Sequence, residues 1–222
     1  MHRFNITVFC FLLLLIAIPY HSAAQRISFE GGILTGIYGV DISGNKEGFW
    51  NDEYDKSGIL GFSAGPFVKC IFNPETYGVL ELRYIRKGTT YGYINKYFTQ
   101  SFETIKFDCI EVPVLYGVNS VLHSKGGDIN FSIETGFAFS KLFSSRLKYD
   151  ALTRRETPAS LSGFKNYDIS WVAQVKLPYR TGKKHTILLG IRMERSIVSI
   201  HKEVKLFNFD YGFELNYLFK NL

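Results

Sequence analysis

The chain has 222 residues, 46% of them hydrophobic and 16% aromatic, which is enough for one domain with a sizeable core. Its 26 Lys and Arg against 20 Asp and Glu leave a formal charge of +6, too mild to argue nucleic-acid binding, and no nucleic-acid motif accompanies it. Beyond the first segment no apolar run is long enough for a spanning helix, so any membrane crossing has to be made by strands closed into a barrel.

That first segment reads as a secretory signal peptide over residues 1–24. Arg3 supplies the positive start, residues 8–18 form an unbroken apolar run, and Ser22-Ala23-Ala24 offers small side chains before a cut ahead of Gln25. The run is shorter than the roughly 20 residues a spanning helix needs. Cys10 lies inside the run and no cysteine stands at the cut, which argues against a lipoprotein. Removing one Arg and no acid leaves +5 on residues 25–222. Cys70 and Cys109 remain; an oxidising compartment permits a disulfide, but they fall on different, non-adjacent predicted strands and are expected as free thiols.

From there the hydrophobic period is two. Segments 27–40 and 58–72 are Gly-rich and alternate loosely. Segment 76–88 sets Leu80, Leu82 and Tyr84 against Glu81, Arg83 and Ile85. Segment 102–118 sets Ile110, Val112, Val114 and Tyr116 against Glu111, Pro113, Leu115 and Gly117. In 128–142, Ile129, Phe131, Ile133, Phe137 and Phe139 oppose Asn130, Ser132, Glu134, Gly136 and Ala138. Segment 166–178 alternates around Ile169, Trp171, Ala173, Val175 and Leu177, and 184–197 around Ile187, Leu189, Ile191 and Met193. The last, 204–219, is the clearest: every odd position from Phe207 to Phe219 is aromatic or Leu, and the even ones include Asn208, Asp210, Gly212, Glu214 and Asn216. These eight segments predict an all-β, eight-stranded antiparallel up-and-down transmembrane barrel after a cleaved signal peptide. Short turns at Asn73-Pro74-Glu75, 124–127 and 180–183 would lie on one side, and longer loops at 41–57, 89–101, 143–165 and 198–203 on the other. Pro66 and Pro113 fall within strands and predict a bulge at each, or a shifted boundary.

Which face points inward separates a membrane barrel from a soluble lipocalin-like binder of an apolar ligand. The polar face is rich in small residues, including Ser28, Gly32, Gly36, Gly61, Ser63 and Gly65, as a narrow lumen requires. It also carries opposite charges that can pair there: Glu30, Lys69, Glu81, Arg83, Glu111, Glu134, Lys176, Arg192, Glu194, Asp210 and Glu214. Tyr84, Tyr116, Trp171, Tyr179, Tyr211 and Tyr217 lie on the greasy face, as rings at a membrane–water boundary do. The expectation is therefore polar inside, apolar outside.

Three segments together resemble the PorT-like outer-membrane β-barrel family: Val79-Leu80-Glu81-Leu82-Arg83-Tyr84-Ile85-Arg86-Lys87-Gly88, Ile110-Glu111-Val112-Pro113-Val114-Leu115-Tyr116, and the aromatic ending 213–219. The resemblance spans essentially all of residues 25–222 and implies an outer-membrane location; one branch of the family is associated with a secretion system. The chain departs from the usual aromatic ending of such barrels, since Lys220-Asn221-Leu222 follow Phe219.

No metal-spaced His/Cys cluster, phosphate loop or nucleophile elbow occurs, and no cofactor is expected. A lipid A-modifying hydrolase is the enzymatic alternative; His123 and His185 fall on predicted periplasmic turns, leaving only His201, beside Ser199 and Lys202, on an external loop. Loop 143–165 carries Arg146, Lys148, Arg154 and Arg155 and is a candidate for binding lipopolysaccharide phosphates or an acidic partner, such as another envelope or secretion protein. The leading expectation is a non-enzymatic anchor, scaffold or binding module.

Overall fold

The computed structural model describes residues 27–44, 56–94, 100–124, 127–149, 156–158, 163–182 and 185–219. The segment read as a signal peptide lies outside them, as do Arg154 and Arg155. Alternating apolar and polar side chains put the described chain into strands: β1 (Ser28–Gly44), β2 (Lys56–Ile71), β3 (Thr76–Glu81), β4 (Arg83–Ile94), β5 (Gln100–Ser124), β6 (Gly127–Tyr149), β7 (Glu156–Pro158), β8 (Tyr167–Thr181), β9 (His185–Ser196) and β10 (Leu206–Phe219). All strand pairings are antiparallel, and β1 pairs with β10 from Gly31↔Phe219 to Gly44↔Leu206, which closes the sheet into a ring. β3 and β4 together form one stave, so the barrel has eight; β7 is a short addition against the end of β6.

Both prolines singled out in the sequence flank one break. Leu82 leaves the ladder between β3 and β4 and donates its N–H to the carbonyl of Pro66 at 3.0 Å. On the other side β5 pairs with β3 as far as Leu80↔Val114 and with β4 from Arg83↔Glu111, so Pro113 faces the same gap. Neither proline bulges its own strand where it stands; the shared neighbour is interrupted instead, where the two missing N–H donors would have been needed. The bulges lie elsewhere, between Gly58 and Ser63 on β2, between Asp108 and Cys109 in the β5–β6 ladder, and between Pro178 and Arg180 on β8.

The lower end of the barrel holds the start of β1, the end of β10 and the short turns. In the turn after β2, Asn73 accepts the N–H groups of Glu75 and Thr76 at 2.9 and 2.7 Å, the side-chain-to-backbone turn that Asn favours. The strands run further up than the sequence suggested: β4 reaches Ile94, β5 starts at Gln100 and β6 continues to Tyr149, so much of the expected loops 89–101 and 143–165 is sheet.

The orientation is polar inside. Asp210 and Glu214 are 1% and 2% exposed while Tyr211 and Phe213 beside them are 59% and 71% exposed. On β6 the outward apolar side chains run from Ile129 to Phe139, about 33 Å of strand and about 25 Å of height at the usual tilt, the height of the apolar band of an outer-membrane barrel. A soluble lipocalin-like barrel is overturned by this arrangement, because its apolar face would fill the centre.

Candidate functional site

The lumen is filled in three layers. At the lower end Leu34, Phe67, Tyr77, Val79, Leu115, Ala138, Val172 and Leu218 pack together. At the upper end Ile42, Ile85, Ile105, Phe107, Cys109, Phe164, Ile200 and Leu206 do the same. Between them lies a layer of buried charge. The small wall residues have a specific use: a Cβ on Gly36 would meet the Tyr38 hydroxyl at 2.5 Å, and one on Gly117 would meet the Tyr77 ring at 2.3 Å. Glycine lets these inward rings lie flat against the wall.

Arg83 is the centre of the charged layer. Its Nε and Nη2 donate to Glu111 at 2.7 and 2.5 Å, Nη2 also to Glu194 at 2.9 Å, and Nη1 to Glu214 at 2.9 Å. The Tyr38 hydroxyl donates to the same Glu214. Lys87 bridges Glu194 at 2.5 Å, Glu111 at 3.0 Å and Asp210 at 3.1 Å. Arg192 reaches Glu81 at 3.0 Å and Glu194 at 3.3 Å, and Lys176 reaches Glu134 at 3.0 Å. The charges come from six staves and Tyr38 adds a seventh, so the network ties the wall together across the lumen. The desolvation of each charge is offset only because opposite charge and hydrogen bonds surround it.

Of the interior residues read from the sequence, Glu81, Arg83, Glu111, Glu134, Lys176, Arg192, Glu194, Asp210 and Glu214 are brought together here. Glu30 and Lys69 are not: they are register partners near the lower rim, half-buried, with the Lys69 ammonium 3.6 Å from the centre of the Tyr77 ring. Sequence reading missed Lys87, although it continues the inward parity of Glu81, Arg83 and Ile85. It also missed Asp168, whose carboxylate accepts from Ser196 and Asn208 at 2.7 and 2.8 Å, and Gln174, which donates to Glu134. Gly88, next to Lys87, has φ of 153° and lies so close to β5 that a Cβ would be 2.1 Å from the Ile105 carbonyl oxygen.

The cavity under the upper apolar layer, lined by Lys87, Cys109, Ser140, Phe164, Asp168 and Asn208 among others, measures about 30 Å³. Ligand pockets for small molecules start near about 300 Å³. Cys70 and Cys109 form no disulfide.

His201 closes the upper end. Its Nδ1 accepts the N–H groups of Glu203 and Val204, both at 3.2 Å, so the ring is neutral with its proton on Nε2. The ring packs edge-on against Phe164 at 5.1 Å, and Phe164 packs on Phe107 at 5.1 Å. Burial, with Lys202 and Lys165 nearby, pushes its pKa below the ordinary value against the opposing pull of Glu203. The Ser199 hydroxyl donates to the carbonyls of His201 and Val204 rather than pairing with the imidazole. This ring is a folding device for the 197–205 segment.

Arg146 and Lys148 require a correction. They stand on β6, opposite Lys106 and Thr104 of β5, not in a loop. On the outer wall Arg146 pairs with Asp108, which also holds Arg86 Nε at 2.9 Å and accepts the Tyr84 hydroxyl. Nothing in the sequence marked Asp108 or Arg86; the register across three strands is what joins them.

A family model described as outer membrane protein beta-barrel domain matches residues 23–202, ending short of β10. No curated protein matches the chain by sequence. Among solved structures the chain is similar to Neisserial surface protein A (11% identity, 86% of this chain and 98% of that one, TM-score 0.44). It is also similar to OprG of Pseudomonas aeruginosa (12%, 87% and 95%, 0.43) and to Ail of Yersinia pestis (12%, 85% and 99%, 0.38).

Proposed function

The chain belongs to the outer membrane protein beta-barrel domain family, a β-barrel of the bacterial outer membrane, and from that premise we propose that it is a closed, non-enzymatic anchor that acts through its external face. The observation that carries this reading is the filled lumen. Two apolar layers enclose a cross-barrel ion-pair layer, and Arg83, Lys87, Glu111 and Arg192 are at most 1% exposed. A path for solute would have to part several buried ion pairs at once, which is costly. The upper end is the external one in this reading, since the short turns of such barrels lie on the periplasmic side. Residues 1–24 act as the export leader in this reading.

Within the family, the strand segments 79–88 and 110–116 favour the PorT-like branch, and a secretion or envelope protein is the corresponding class of partner. The lipid-modifying hydrolase has little to stand on: the external imidazole among the described residues, His201, has its Nδ1 occupied by two backbone N–H groups. In planar bilayers the refolded barrel is expected to give no steady unitary conductance. A persistent channel of single size in the wild-type protein would reject the closed-anchor reading.

A further inference from the structure

The outer wall of β4, β5 and β6 carries charge where a lipid-facing wall should not. Arg86, Asp108 and Ser144 are aligned across the three strands, and Lys106 and Arg146 form the next pair upward. Lys148 follows one outward position later, opposite Thr104 and, through β7, in register with Glu156. Lys141 lies below, opposite Ile110 and fully on the outside. Directly underneath are the exposed apolar side chains Leu82, Ile110 and Phe139. The cluster therefore begins where the apolar band stops.

Asp108 organises it. Its carboxylate is 5% exposed although it points away from the lumen, because Arg86, Arg146 and the Tyr84 hydroxyl cover it. Arg86 Nη2 also donates to the Tyr84 oxygen at 3.0 Å. One carboxylate thus holds two guanidiniums side by side, at 24% and 34% exposure. Aromatic rings border the site: Phe62 and Tyr84 at 5.3 Å, Tyr84 and Phe143 at 6.1 Å, with Arg86 over Phe62 at 5.1 Å. Rings of this kind mark the head-group level of a bilayer.

We propose that Arg86, Lys106 and Arg146, positioned by Asp108, bind the phosphate groups of a phosphorylated glycolipid of the outer leaflet, the lipid A part of lipopolysaccharide, whose acyl chains lie on the apolar strip below. The inference rests on the barrel being membrane-embedded with this end external. A lipid is the occupant because the cations stand on the wall, at its boundary with the apolar band. Phosphate is the group because guanidiniums offer paired donors that match its oxygens. Lys106 and Lys148 add charge on either side without requiring a fixed geometry.

The test uses the refolded full barrel in neutral detergent, with phosphorylated and enzymatically dephosphorylated lipid A as probes and bound lipid counted by native mass spectrometry. Wild-type protein is expected to retain the phosphorylated form at least tenfold better. The triple variant Arg86→Gln, Lys106→Gln, Arg146→Gln is expected to lose that preference, and Asp108→Asn to reduce it. Lys202→Gln with Lys205→Gln, which changes only the external loop, is expected to keep it. Equal retention of both lipids by wild type, or a preference that survives in the triple variant, would overturn the proposal. Heat-modifiable migration on a gel, measured on every variant, separates the cases. A wild-type chain that gives no folded detergent-soluble form defeats the membrane-barrel premise, whereas a folded barrel without preference defeats only the lipid site.

Discussion

Arg83 illustrates what one residue does in a lumen this narrow. Its guanidinium reaches carboxylates on β5, β9 and β10 from a position on β4, so it supplies contacts between staves that backbone ladders cannot make. Removing one partner of a buried ion pair leaves uncompensated charge, at about 3–5 kcal/mol, whereas replacing both by apolar groups is close to neutral. Arg83→Met is therefore expected to lower the unfolding free energy by about 3–5 kcal/mol, and Arg83→Met with Glu111→Leu to recover part of the loss. Urea titration in lipid vesicles reads both values; a single variant indistinguishable from wild type would mean that the charged layer contributes little to folding. Parity alone located Arg83, and the same parity extended by two steps would have located Lys87. Tyr38 and Tyr77 were not legible, because an aromatic ring is equally at home against lipid and inside. Their burial, their hydrogen bonds to Glu214 and Glu134, and the clearance at Gly36 and Gly117 show that these two lie inside.

Elements differ from their sequence outlines mainly at their ends. A strand in a closed barrel continues for as long as its neighbours do, so β5 and β6 extend each other upward through pairs such as Glu103↔Tyr149, beyond the last clean apolar alternation. Polar side chains are tolerated there because the strands have left the apolar band. The segment after β9 depends on His201 in the same local sense. Lys202 N–H bonds to the Gly163 carbonyl at 2.9 Å and Lys165 N–H to that of Ile200 at 2.8 Å, stitching 163–165 to 197–205 over the upper apolar layer. The folded pKa of His201 is depressed by burial, so neutral imidazole stabilises this cap fully above the unfolded value of about 6.5. That stabilisation is lost as pH falls through the folded value, when Nδ1 gains a proton and can no longer accept. Hydrogen-exchange protection of the Glu203 and Val204 amides, corrected for intrinsic rates, is expected to drop as the pH is taken from neutral into the acid range below about 6.5. Protection unchanged across that window would show that the imidazole does not hold the cap.

At the scale of the whole molecule, the defining property is which side of the sheet looks at the centre. Phe213 sits mid-way along β10 and is 71% exposed. A cation on the lipid face near the bilayer midplane costs about 2–4 kcal/mol. Phe213→Arg is expected to show that loss on folding into vesicles and almost none in short-chain detergent, where the head group can reach water. Equal loss in both media would place Phe213 in a packed interior instead. The fold class, the strand parity and most of the charged lumen were determined by the sequence on its own. Side-chain direction alternates strictly along a strand, and charge cannot face acyl chains. Tertiary structure alone decided the rest: the break at Leu82 between Pro66 and Pro113, the pairing of Arg86 and Arg146 through Asp108, and the two apolar layers that cap the charges. Each of these depends on the register between strands far apart in the chain. Alternation along one strand says which face a residue takes, but not which residue stands beside it.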